Sequence, residues 1–270
     1  MKIGITGCAG RMGQMLVREV LVTDGCTLAG GTEGPGHTAI GQDVAQTAGL
    51  EECGIAITDN SDALFAASDA VIDFTIAQVT EGHARFTKKY GTNFILGTTG
   101  HDESQLASIE AASAHVPIVK AMNFSVGVNV LFALTKQLAG TLDEDFDIEI
   151  VEMHHRHKVD APSGTALGLA QAAADGRGVD LNHVVDRGRD GITGERRRGH
   201  IGLAALRGGD VVGEHDVVFA GSSERIKISH MAASREIFAR GAVRAALWSA
   251  NVAPGLYSML DVLGFSDGDT

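Results

Sequence analysis

The sequence predicts an α/β protein in two parts. One is a Rossmann-like parallel-sheet domain over residues 1–124 and 235–270; the other is an α+β domain with an open mixed sheet over residues 125–234. Three observations predict this. In the first part, short apolar strands alternate with helical stretches, the pattern of a parallel sheet with helices on both faces. A GxxGxxG turn falls between the first strand and the first helix. After about residue 124 the alternation gives way to one helix and then to strand-like runs with glycine-rich turns.

In order, KIGIT opens the chain as an apolar, β-rich strand, so no signal peptide is expected. GRMGQMLVREVLV follows with helical periodicity, placing Met12, Leu16 and Val20 on one face. CTLAGGT (26–32), AVIDFT (70–75), NFILGTTG (93–100) and VPIVKAMN (116–123) read as further strands, with helices near 76–90 and 102–114. Residues 125–142 form one helix, FDIEIVEMHH (146–155) an alternating strand and GTALGLAQAAAD (164–175) a helix. Three strand-like runs follow at 200–208, 210–221 and 224–233. SREIFARGAVRAALWSAN (234–251) is a final helix with Phe238 and Trp248 in the core, and the tail packs back on the first domain.

A net charge of -12 argues against long-range attraction to nucleic acid or an anionic membrane, and no apolar run reaches the length of a membrane span. Cys8, Cys26 and Cys53 are odd in number and fit no metal spacing, so a reducing, cytoplasmic compartment is expected. No internal repeat or low-complexity linker interrupts the chain.

GITGCAGRMG sets Gly7, Gly10 and Gly13 at the first strand–helix junction. A turn without side chains lets backbone N–H groups reach a pyrophosphate, and a helix N-terminus favours that charge. Glu33 lies 20 residues beyond Gly13, at the end of the second strand. An acid there accepts hydrogen bonds from adenosine ribose hydroxyls and repels a 2′-phosphate. Gly34 and Pro35 follow it and supply no arginine, so NADH is expected in preference to NADPH. The competing reading of Glu33 is a plain loop carboxylate. GTTG (97–100) and AMNF (121–124) either line the nicotinamide side of the crevice or are ordinary turns.

HHRHKVDAPSGT, from His154 to Thr165, gathers three histidines, an arginine and a lysine in its first five residues. Arg156 and Lys158 would oppose a divalent cation, and no Cys, Asp or HExxH pattern completes a ligand set, so no metal is expected. An anion pocket fits better. Pro162 favours an extended entry, Ser163 can cap the alanine-rich helix, and Gly164 lets a ligand approach the backbone. The N–H groups of Ser163, Gly164 and Thr165 would then face a carboxylate or phosphate, with Lys158 adding a full charge. Histidine also exchanges protons near neutral pH, as the enamine carbon left by hydride addition to a conjugated imine requires. The competing reading is a capped surface helix beside a solvated basic loop.

EIVEMHHRHKVDAPSGTA (149–166) resembles the signature of the bacterial dihydrodipicolinate reductase family. The likeness runs end to end, through GCAGRMG, VIDFT, GTTG, NFSVGVNV, HIGLAALRGGDVVGEH and SREIFARGAVRAALW. It implies a cytoplasmic NAD(P)H-dependent oxidoreductase of lysine and diaminopimelate biosynthesis. Its substrate would be a small cyclic imine dicarboxylate, and it would form a homotetramer through the second domain's sheet. The resemblance implies that His154 donates or accepts the proton and that Lys158 is a second proton donor and substrate anchor. His155, Gly164 and Thr165 would bind the dicarboxylate, beside the capping Ser163. Gly7, Cys8, Ala9, Gly10, Arg11, Met12 and Glu33 would contact the cofactor from one side. Gly97, Thr98, Thr99, Ala121, Met122, Asn123 and Phe124 would contact it from the other.

One departure is Gly34, where many members carry an arginine able to meet the 2′-phosphate; this agrees with NADH. The arginine-rich segment 187–199 is expected to be solvated or at an oligomer contact. Two rival readings are an amino acid dehydrogenase with a related Rossmann domain and a non-enzymatic NAD-sensing protein. Intact His154, His155, Lys158, Gly164 and Thr165 argue against a decayed site.

Overall fold

The computed structural model describes residues 1–265, so the end of the expected first domain, 266–270, lies outside the described residues. The chain divides into two units. Met1–Ser125 joins the returning segment from Glu236 onward, and Val126–Arg235 forms the other.

The elements run β1 (Lys2–Thr6), α1 (Arg11–Val22), β2 (Thr27–Thr32), α2 (Val44–Thr47), α3 (Ser61–Ala67), β3 (Ala70–Asp73), α4 (Thr80–Tyr90), β4 (Asn93–Leu96), α5 (Glu103–Ser113) and β5 (Pro117–Lys120). The second unit holds α6 (Val126–Thr141), β6 (Asp147–His154), α7 (Gly164–Arg177), α8 (Leu181–Val184), β7 (Val185–Arg187), β8 (Ile201–Arg207), β9 (Gly213–Ala220) and β10 (Arg225–Ala232). The chain then returns through α9 (Glu236–Ser249), β11 (Gly255–Tyr257) and α10 (Met259–Leu263).

The first unit's sheet is parallel throughout, in the order β11-β5-β4-β3-β1-β2. Strands covered on both faces read as continuous apolar runs, and all four residues of β3 are buried. The chain runs from β1 to β2 on one side and to β3 on the other, so the strand order reverses at β1 and the crevice lies beyond the carboxyl ends of β1 and β3. α1 buries Leu16, Val17 and Val20, and α9 buries Ala239, Ala242, Val243 and Ala246 in the same core.

The helix expected to be final is followed by β11 and α10, because β11 adds a sixth strand beside β5. Trp248 packs edge-on against Tyr257, with ring centroids 5.0 Å apart. Phe238, expected in the core, is only half-buried; the apolar stripe of α9 begins one residue later at Ala239. No helix among the described residues is long and apolar enough to cross a membrane.

The second sheet is mixed, in the order β10-β9-β6-β8-β7; β6 runs antiparallel to β9 and parallel to β8. α6 and α7 supply Leu131, Ala139, Leu169 and Ala173 to a core with Ile148, Ile150, Val217 and Phe219 from the strands. Burial along β6 alternates strictly, so Ile148, Ile150, Glu152 and His154 share the buried face.

The 187–199 segment is mostly exposed, with Arg196 half-buried against β6. Arg196 reaches Asp147 Oδ1 (2.6 Å), Glu149 Oε1 (2.8 Å) and the carbonyls of Ile148 (2.9 Å) and His200 (2.7 Å). Arg189 grips Glu149 through two further hydrogen bonds. β6 thus gathers the loop's arginines because its outward positions, Asp147 and Glu149, are acidic. Arg196→Met strands these half-buried acceptors, and the unfolding free energy should fall by about 1–3 kcal/mol. Urea denaturation checks this; an unchanged midpoint would show that the Arg196 contacts add nothing to stability.

Candidate active site

The glycine turn of the first unit is built for close approach. Gly7 has φ +64°, a left-handed conformation that glycine adopts without strain. At Gly13 a Cβ would stand 2.0 Å from the Gly7 carbonyl oxygen, so only glycine lets α1 seat against the turn. Glu33 Oε1 accepts from Ala9 N at 2.7 Å, which orients the carboxylate at the mouth of the turn; Oε2 has no partner among the described residues. Gly34 has nothing within 4 Å of where a Cβ would be. Met12, Thr75, Gly97, Thr98 and Thr99 line a cleft of about 360 Å³ beyond the strand ends. A smaller cleft beside it, about 190 Å³, is lined by Thr99, Lys120, Ala121 and Met122 among others. Open turn, oriented acid and adjoining clefts fit an extended dinucleotide.

Three residues expected to contact the cofactor have buried side chains, Thr98 among them even though it borders both clefts. Cys8 is fully buried against Gly31, its N–H donates to Thr32 O (3.2 Å), and burial followed by the Glu33 charge pushes its thiol up to about 12. The Thr98 hydroxyl donates to Asp73 Oδ1 (3.1 Å) and accepts from Thr75 N (2.9 Å). Phe124 is 1% exposed and packs on Phe74 with centroids 5.3 Å apart. Each sits where the sheet needs apolar or bonded filling. Gly10, Arg11, Thr99 and Met122 are exposed, and Ala9, Met12, Gly97, Ala121 and Asn123 are half-buried.

In the second unit, the sequence reading missed the central residue. Glu152 is 1% exposed, yet it is ionised: burial pushes its pKa up, but the Arg207, His154 and Ser163 hydrogen bonds outweigh this and hold it below the usual carboxylate range. Arg207 donates to both its oxygens (2.8 and 2.9 Å), Ser163 N donates to Oε1 (3.0 Å), and His154 Nδ1 stands 2.6 Å from Oε2. A carboxylate only accepts, so His154 carries its fixed proton on Nδ1. Nε2 is left as the nitrogen that gains or loses a proton. Gly213 borders it; a Cβ there would come within 3.0 Å of Nε2.

Ser163 caps α7, its Oγ accepting from Ala166 N (3.1 Å). Its own N–H, expected to face a ligand, is instead committed to Glu152, which needs that donor to remain charged. Gly164 is exposed and Thr165 half-buried at the first turn. His155 is half-buried, with its Nδ1 lacking a partner among the described residues. Burial, then the charges of Arg235, His157, His154 and Lys158, lower its pKa. Lys158 Nζ donates to Asp160 Oδ1 at 2.8 Å. Asp160 is mostly exposed, and a pair of this kind is worth little, so a ligand carboxylate can displace it. Arg156 and His157 are exposed.

His215 was also missed. Its Nε2 lies 3.2 Å from Ser163 Oγ, and its ring meets His154 edge-on at 5.2 Å. Burial first, and the His154 charge second, push it down to about 4, so it is neutral near pH 7. The signal for Glu152 was the period-2 pattern I-x-I-x-E-x-H, which puts an acid on the core face. Nothing local marked Arg207 or His215.

Glycine turn, oriented acid and switch-point cleft together define a Rossmann-type NAD(P)H oxidoreductase. Family models narrow this: "Dihydrodipicolinate reductase, N-terminus" matches residues 1–124 and "Dihydrodipicolinate reductase, C-terminus" matches residues 127–263. The chain belongs to the dihydrodipicolinate reductase family. It is 53% identical to the 4-hydroxy-tetrahydrodipicolinate reductase of Roseobacter denitrificans, covering 99% of this chain and 98% of the relative. It is 55% identical to the enzyme of the same name from Ruegeria pomeroyi, over 97% of each. The fold is shared with dipicolinate-bound dihydrodipicolinate reductase from Paenisporosarcina sp. TG-14, at TM-score 0.77 and 22% identity over 97% of this chain and 98% of that one. An amine dehydrogenase from Mycobacterium smegmatis shares the fold more distantly, at TM-score 0.60 and 11% identity over 96% and 95%.

His215 should leave a mark on stability. Its folded pKa, about 4, lies below its ordinary 6.5, so the unfolded chain binds the proton more readily between those values. The resulting stability is complete above pH 6.5 and is lost as pH falls toward 4, by of order 3 kcal/mol. His215→Gln should flatten this part of the urea midpoint-versus-pH curve; an unchanged slope would refute the assignment.

Proposed function

We propose that the chain reduces the cyclic imine dicarboxylate formed upstream of tetrahydrodipicolinate, as its 4-hydroxy-tetrahydrodipicolinate reductase relatives are named for doing. The observation that carries this reading is His154, held at Nδ1 by a buried carboxylate, beside Lys158 and the first turn of α7. Loss of the 4-hydroxyl as water across ring positions 3 and 4 leaves the conjugated imine, and a reduced nicotinamide, when bound, would supply the hydride that adds at position 4. His154 Nε2 then delivers a proton to the enamine carbon. Lys158 exchanges Asp160 for a substrate carboxylate and is a second proton donor. His155 and the first-turn amides of Gly164 and Thr165 take up the dicarboxylate, with Ser163 acting as the cap that places them. Locally placed cations and amides attract a dianion despite the net charge of -12.

The first unit holds the cofactor through the Gly7–Met12 turn, with Glu33 Oε2 on the adenosine ribose. NADH is the preferred cofactor and NADPH a poorer one. The second unit's sheet joins copies into a homotetramer. Leu206, Met153, Glu214 and Met231 lie in register across its outer face, with Leu206 and Met231 exposed. Free Cys8, Cys26 and Cys53 suit a reducing cytoplasm.

NADH oxidation coupled to the synthase that condenses pyruvate with aspartate semialdehyde tests the reaction; no oxidation above background sinks the reading. His154→Ala should lower kcat by roughly 10²-fold or more with little change in KM, and an unaltered kcat rejects its role. Lys158→Ala should harm both kcat and KM. The wild-type protein should show higher kcat/KM with NADH than with NADPH. Gly34→Arg should move the ratio toward NADPH by about tenfold, since a guanidinium there can pair with the 2′-phosphate; a fixed ratio argues against the Glu33–Gly34 account.

A further inference from the structure

A second buried acid lies in the first unit. Asp73 ends β3, next to the point where strand order reverses, and is fully buried with no arginine or lysine bonded to it. Its Oδ1 accepts from Thr75 Oγ1 (2.6 Å), Thr75 N (2.9 Å) and Thr98 Oγ1 (3.1 Å), and its Oδ2 faces His83 Nδ1 at 2.6 Å. Burial works against the ionised form, but the His83 and Thr75 hydrogen bonds prevail and hold the pKa below the usual carboxylate range. Thr75 also borders the glycine turn: a Cβ on Gly7 would stand 2.8 Å from Thr75 Cγ2. One carboxylate therefore ties the loop after β3 to the loop after β4, and through Thr75 both abut the turn after β1. The loops after β3 and β4, with Met12 of α1, are the walls of the 360 Å³ cleft.

A buried charge is a costly way to fill space, and an apolar residue of similar volume generally stabilises a core as well or better. What the charge supplies is fixed geometry in loops that have no strand pairing of their own. We infer that Asp73, anchored by His83, is a positioning residue that presets the dinucleotide cleft through the Thr75 and Thr98 hydroxyls. This rests on the reading that the first unit binds the cofactor.

Equilibrium NADH binding, followed by nicotinamide fluorescence on the full chain, tests the inference without calling on catalysis. Thr98→Val keeps the shape but removes the hydroxyl, and should raise the Kd for NADH by roughly tenfold. Thr98→Ser restores the hydroxyl and should return Kd to near the wild-type value. Asp73→Asn should weaken binding at least as much as Thr98→Val; if it fails to fold, the Val and Ser pair still decides. Circular dichroism confirms that each variant compared is folded. Wild-type affinity in Thr98→Val, or equal damage in Val and Ser, overturns the inference alone. A wild-type protein that does not bind NADH or NADPH overturns the cofactor reading and this inference with it.

Discussion

The second unit is organised around one ionised carboxylate without access to water. Glu152 accepts two hydrogen bonds from Arg207, one from the Ser163 amide and one from His154. A lone buried charge would cost several kcal/mol, and only a full set of donors makes it tolerable. The donors come from β6, β8 and the entry to α7, so meeting the carboxylate's needs brings those elements into one arrangement. The orientation of His154 Nε2 and the placement of the first turn of α7 follow from that arrangement. His215, pressed against His154 from β9, stays neutral and adds no second charge to the cluster.

The two units use the same device with different partners. In each, a buried acid on a strand holds a histidine Nδ1 at 2.6 Å. In the second unit an arginine offsets the charge, and the histidine's other nitrogen remains available for chemistry. In the first, hydroxyls and an amide complete the shell, and His83 lies among Phe65 and Phe94, 6% exposed. A histidine enclosed by aromatic rings anchors; one with an open nitrogen can trade protons.

Much of this was legible in the sequence because periodicity is local. The parallel strands, α1, α6 and α7 announce themselves through apolar spacing, and the glycine turn through its position after the first strand. α3 was not read, although Asn60, which caps it by accepting from Ala63 N, and Asp62 in its first turn were visible. β11 spans only three residues and exists because β5 offers it an edge. The burial of Cys8, Thr98 and Phe124 depends on packing partners that no motif specifies. Glu152 could be placed on a core face by alternation, but its partner Arg207 lies 55 residues away, and only the parallel register of β6 and β8 brings them together.

The division of the chain also constrains its synthesis. The first unit is interrupted after Ser125 and resumes at Glu236, and its core includes Ala239, Ala242, Val243, Met259 and Val262. A chain emerging from the ribosome presents the whole of the continuous second unit before the first can close its core. Domains fold as units as they emerge. Here the unit begun first is finished last, because β11, the strand beside β5, is synthesised only after the whole second unit.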